Sequence, residues 1–139
     1  MSTSLFLALF SLPLVPSQPA TPAPNSAVLH AAALDGRIGR VTIENSLASY
    51  RQIIDQPAAR NVSEVVIPGV LRKYDTGELL EALYPRPVTI VSPRDALGDP
   101  MGEANFRKGL AYVFESDRRL GLPNRIRLLT GGDRVHLFE

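Results

Sequence analysis

Asp95, Asp99 and His136 are the residues of this 139-residue chain whose types and placing could do chemistry. Both carboxylates lie in "SPRDALGDP", a loop rich in Asp, Gly and Pro that follows the apolar run "PVTIVS" at 87–92. His136 follows a second β-type run, "RIRLLTG" at 125–131. A carboxylate and an imidazole brought together from separate loops can work as an acid and base pair. The carboxylate orients the ring and the ring moves a proton. The same groups have plainer uses. An Asp in a Pro-Arg-Asp loop satisfies turn amides with its own oxygens, and the default reading of His136 is a surface or frayed-tail histidine. His30 lies on the Ala-rich stretch "SAVLHAAALDG" and reads as structural.

Several other chemistries are excluded or unsupported. The chain has no cysteine, so it can make no disulfide, thiolate metal site or cysteine nucleophile. No cluster has metal-ligand spacing and no Gly-rich loop resembles a phosphate cradle, so neither metal nor cofactor is expected. A formal net charge of +1 gives no reason to expect nucleic acid or an anionic membrane as partner. The Arg and Lys residues from Arg107 to Arg119 read as a solvated helix face. "NVS" at 61–63 fits a glycosylation acceptor, a three-residue match that chance often produces.

The elements that must position Asp95 and His136 can be read in order. "SAVLHAAALDG" predicts a helix ending at Gly36, and "RVTIE" at 40–44 a strand. "SLASYRQIID" puts Leu47, Tyr50, Ile53 and Ile54 on one helical face, with Ser46 as cap. "NVSEVVIPGVLRKY" predicts two short helical pieces broken at Pro68-Gly69. Asp75 and Glu78 have the spacing of a capping box for "ELLEALY", which Pro85 closes. "PVTIVS" is apolar throughout, as a strand buried on both faces is. A long helix is expected from Gly102 to Leu120, with Phe106, Leu110, Val113 and Phe114 inward, and "RIRLLTG" is the last strand. The alternation predicts an α/β fold: a short parallel sheet of about three strands flanked by helices on both faces. In such sheets functional groups collect at the carboxyl ends of strands, where Asp95, Asp99 and His136 are placed.

The first 34 residues carry no Lys, Arg, Asp or Glu. There "SLFLALFSLPLV" precedes "PSQPATPAPNSA". The apolar run is shorter than the ~20 residues of a membrane span and has the length of a signal-peptide core. The expectation is therefore a signal peptide or disordered Pro/Ala-rich leader over 1–26, and one α/β unit over 27–139. The product would be secreted or periplasmic if the leader is a signal, and cytoplasmic otherwise.

"HAAALDGRI", "VVIPGVLRKYDTGELLEALYPRPVTIVSPRDALGDP" and "GLPNRIRLLTGGDRVH" together resemble the C-terminal part of α/β-hydrolases related to bacterial acetyl xylan esterases and dienelactone-hydrolase-like proteins. The resemblance implies a partial α/β-hydrolase of the carboxylic ester hydrolase type. It implies Asp95 as the acid of a Ser-Asp-His triad, Asp99 as the runner-up, and His136 as the base. His136 departs from the family pattern, because Asp133 stands directly after the paired glycines where the histidine is expected. The nucleophile is not found. A nucleophile elbow needs small residues two positions either side of its serine, and no serine in the chain has glycine at either place. A hydrolase without its nucleophile implies no activity alone, with ester substrate only if the missing half is supplied. The alternatives are a non-enzymatic binding or scaffold module, self-associating through an exposed strand edge, or a gene remnant.

Overall fold

Prolines bracket the strand that becomes the centre of the sheet. In the computed structural model, which describes residues 26–59 and 67–129, β2 (Val88–Val91) pairs in parallel with β1 (Val41–Glu44) on one edge and β3 (Ile126–Leu129) on the other. Val41, Val88 and Ile126 lie level, as do Ile43, Ile90 and Leu128. All four residues of β2 are buried, which accounts for its unbroken run of β-type residues.

The helices are α1 (Ser26–Leu34), α2 (Arg51–Asp55), α3 (Thr76–Ala82), α4 (Glu103–Gly109) and α5 (Ala111–Arg119), with a 3-10 turn at Val70–Arg72. One core joins Leu29 and Ala32 of α1 and Leu79, Leu80 and Leu83 at α3 to Phe106, Leu110 and Val113 of the α4–α5 pair. These side chains close on Val41, Ile43, Val88, Ile90 and Ile126, which share one face of the sheet. The opposite face, with Thr42, Thr89 and Arg127 in one row and Glu44, Val91 and Leu129 in the next, contributes nothing to that core.

This corrects the expectation of helices on both faces. Among the described residues the helix core meets a single face. The reason is the strand order β1-β2-β3: both crossovers step the same way, and two right-handed crossovers in one direction lay their helices on the same side.

Other boundaries differ for local reasons. The helix expected from Ser46 begins only at Arg51, and Ser46, Leu47, Ala48 and Tyr50 are buried in the preceding segment instead. Its amino end is held by Asp75, which accepts from Tyr50 N at 2.6 Å and from Ser49 Oγ at 2.5 Å. The capping box at α3 is present as expected: Asp75 Oδ1 accepts from Thr76 N at 2.7 Å, and Glu78 Oε2 from Asp75 N at 2.9 Å. Of the two helical pieces expected around Pro68-Gly69, the second is a single 3-10 turn, and residues 61–66 lie outside the described residues. The long helix is divided at Leu110, whose φ of −116° and ψ of 29° leave the helical range. Phe106, Leu110 and Val113 point inward as expected. The solvated face is real as well, with exposed pairs Arg107–Glu103, Arg118–Glu115 and Arg119–Glu115.

Two arginines tie the helices to the sheet. Arg86, between the prolines of "PRP", donates through Nη1 to the carbonyls of Ala32 at 2.8 Å, Ile38 at 3.0 Å and Asp35 at 3.2 Å, closing the carboxyl end of α1. Arg125 is buried with Asp117, Nε to Oδ1 2.7 Å, and also donates to the Leu80 carbonyl at 3.0 Å. This pairing joins α5, α3 and the start of β3.

Candidate functional site at the carboxyl edge of the sheet

Level positions on β1 and β2 end in the same unusual conformation. Asn45 and Ser92, the residues just after each strand, have φ of 52° and 47°. Asn visits this left-handed region readily, whereas a serine there is uncommon. Both are fixed by the ladder: Asn45 N donates to Val91 O at 2.9 Å and Ser92 N to Leu129 O at 2.8 Å. Beyond the kinks the two loops pair again. Arg94 N donates to Ser46 O at 2.9 Å, and Ala48 N to Arg94 O at 3.1 Å.

The Arg94 side chain fastens this arrangement. Its Nε donates to Asn45 Oδ1 at 3.0 Å and its Nη1 to Gly98 O at 2.7 Å, so one guanidinium holds the loop after β1 and the far end of its own loop. Asp95 closes the turn from within. Its Oδ1 accepts from Leu97 N at 2.9 Å and from Asp99 N at 3.0 Å, while its main chain exchanges bonds with Asp99 O and Gly98 N, each at 3.0 Å. Gly98 takes φ 84°, a conformation open to glycine with little strain. Asp95 is thus a turn organiser, half-buried, with no partner for Oδ2 among the described residues. Asp99 is exposed and contributes main-chain groups.

Beside this loop is a cavity of about 110 Å³, lined by Ser92, Pro93, Pro100, Met101, Glu103 and Leu128 among others. It holds a hydroxyl and a carboxylate within otherwise apolar walls. Glu103 is already paired with Arg107 Nε at 2.7 Å.

Of the residues singled out from the sequence, Asp95 and Asp99 are brought together in one turn at the end of β2. His136 lies outside the described residues, as do the leader and "NVS" at 61–63. His30 is engaged elsewhere: Nδ1 lies 2.8 Å from Ser26 O, and the ring rests 5.6 Å from that of Tyr74. Sequence reasoning missed Asn45, Ser92 and Arg94. Only Asn45 carries a signal, as an Asn directly after a strand. Among the described residues no group of His, Asp and Glu could hold a metal, and no helix is long and apolar enough to cross a membrane. No family model, curated protein or solved structure matches the chain.

Proposed function

We propose that residues 27–139 are an esterase-like α/β-hydrolase unit, of the acetyl xylan esterase and dienelactone hydrolase kind, that does not hydrolyse esters by itself. The observation that supports this reading is Asp95. It stands at the carboxyl end of a central parallel strand, with one oxygen fixed by two amides and the other without a partner among the described residues. A triad acid is held in just this manner, so that its free oxygen can orient an imidazole. His136 is the base in this reading. The missing part is the nucleophile, since no serine has the small neighbours an elbow requires. In a complete unit the serine would attack the acyl carbon with histidine as general base, and water would then release the acyl group.

The test is turnover of p-nitrophenyl acetate by the purified chain. The expected result is a rate equal to the buffer blank. Turnover abolished by a serine-directed phosphonate would overturn the proposal, because it would reveal a working nucleophile.

The leader adds a second element to the proposal. Residues 1 to about 19–27 are an export signal, and the exported protein begins in the Pro/Ala segment. Mass spectrometry finding intact Met1 in protein secreted by the expressing cell would contradict it. A non-enzymatic binding module is the alternative function, and one observation favours it: an apolar groove unrelated to the Asp95 loop.

A further inference from the structure

Helix α2 contains Ile53 and Ile54 yet has no buried residue. Ile54 is 71% exposed, far outside the usual place of a large aliphatic on a helix that packs. Across from it, Val70 N donates to Ile67 O at 3.1 Å, with Gly69 at φ 75° and ψ 9°. This is a type II turn, Pro68 leading and Gly69 in the position that requires positive φ. The turn carries Val70 inward against Leu47 and Tyr50 and leaves Ile67 41% exposed.

Two apolar walls therefore face each other across space that neither fills. The groove has a volume of about 360 Å³, and among the described residues it is lined by Tyr50, Ile53, Ile54, Ile67, Val70 and Arg72, together with the turn and Leu71. Small-molecule sites start at roughly this size, and they combine an apolar lining with very few polar groups. Among the described residues that line it, the one charged side chain is that of Arg72, which enters no ion pair among the described residues. Asp55, next along α2, does not line the groove. An arginine among the lining residues of an aliphatic slot suits a carboxylate carrying an alkyl chain, since its fork of donors matches the two oxygens.

We propose that this groove binds a free medium-chain carboxylate, its alkyl chain between Ile53, Ile54, Ile67 and Val70 and its head on Arg72. The site shares no lining residue with the carboxyl-edge cavity, so it stands or falls independently of the esterase reading.

The same chemistry is offered by an anionic lipid surface, and the experiment separates the two. The isotope-labelled full chain is titrated with sodium octanoate below its aggregation range, and amide shifts are followed by NMR. Saturable shifts of Ile53, Ile54 and Val70 are expected. Octylammonium should bind at least about tenfold more weakly, and Arg72→Gln should weaken octanoate about tenfold while leaving octanol unchanged. Ile54→Ser, at an exposed position that leaves folding intact, should weaken octanoate and octanol alike. Absence of saturable shifts, equal affinity for the ammonium, or an unaltered Arg72→Gln variant each overturns the proposal. Co-sedimentation with phosphatidylglycerol vesicles without any response to octanoate also overturns it, in favour of a membrane surface.

Discussion

Arg94 Nε donates to Asn45 Oδ1 at 3.0 Å, and this bond joins the loops that leave β1 and β2. Residues far apart in sequence are thereby locked at the one edge where a parallel sheet displays its functional groups. Arg94→Ala leaves the Asn45 side chain and the Gly98 carbonyl without their charged donor. A loss of about 1.5–3 kcal/mol is expected from such a bond. Hydrogen exchange should quicken at Asp95, Gly98 and Asp99 before it does in β2. Uniform quickening throughout the sheet would show that Arg94 supports the whole fold rather than this edge.

Asp75 closes the amino ends of two helices at once, α2 through Tyr50 N and α3 through Thr76 N. A single cap is worth about 1 kcal/mol, so Asp75→Ala should cost about 2 kcal/mol in urea unfolding. Asp75→Asn keeps an acceptor and should retain about half of that. A cost equal to that of one cap would mean that α2 does not depend on it.

The Arg125–Asp117 pair predicts non-additivity. Both side chains are almost wholly buried, so removing one strands the other's charge in the interior. Asp117→Ala or Arg125→Met alone should cost about 3–5 kcal/mol, whereas the double substitution to apolar residues should be much milder than the sum. Additive losses in the cycle would disprove the coupling.

Tyr112 lies against Gly77, where an added Cβ would come within 1.8 Å of its Oη. Burial, and then the neighbouring Glu78 carboxylate, push this phenol up to about 12. Because the folded value is raised, the share of stability it carries is intact below the ordinary value near 10 and is lost as pH rises towards 12. Ultraviolet titration should show two of the four tyrosines ionising late: Tyr50, which burial also pushes up, and Tyr112, which is displaced further. Gly77→Ala should displace the Tyr112 ring and return its step towards the ordinary range. Four coincident steps in the wild-type chain would refute this.

The strands were legible in the sequence because each is a short run of β-type residues flanked by turn formers. The capping box at Asp75 was legible because its two members are three residues apart. What could not be read depends on distant partners. Asp75 as the cap of α2, Arg86 as the closure of α1, and Arg94 as the clasp between loops all use hydrogen bonds that span some 24 to 54 positions. The break at Leu110 was hidden by a periodicity that continues through it, since Phe106, Leu110 and Val113 keep helical spacing on either side. Asp95 was found as a residue at the end of β2, but its use of Oδ1 for two turn amides was visible only as one of two readings.

The order β1-β2-β3 has a consequence in time. Val41 pairs with Val88 and Val88 with Ile126, so the two pairings must close 47 and 38 positions of chain before any ladder bond is made. No hairpin among the described residues can form first and guide the rest. The α1–α3 contact and the β1–β2 ladder share the same closure, so they should appear together, with β3 joining a surface already built. A chain with such pairings should be a slow folder for its length, and its refolding rate should respond more to changes at Ile43 and Leu80 than to changes at Leu128.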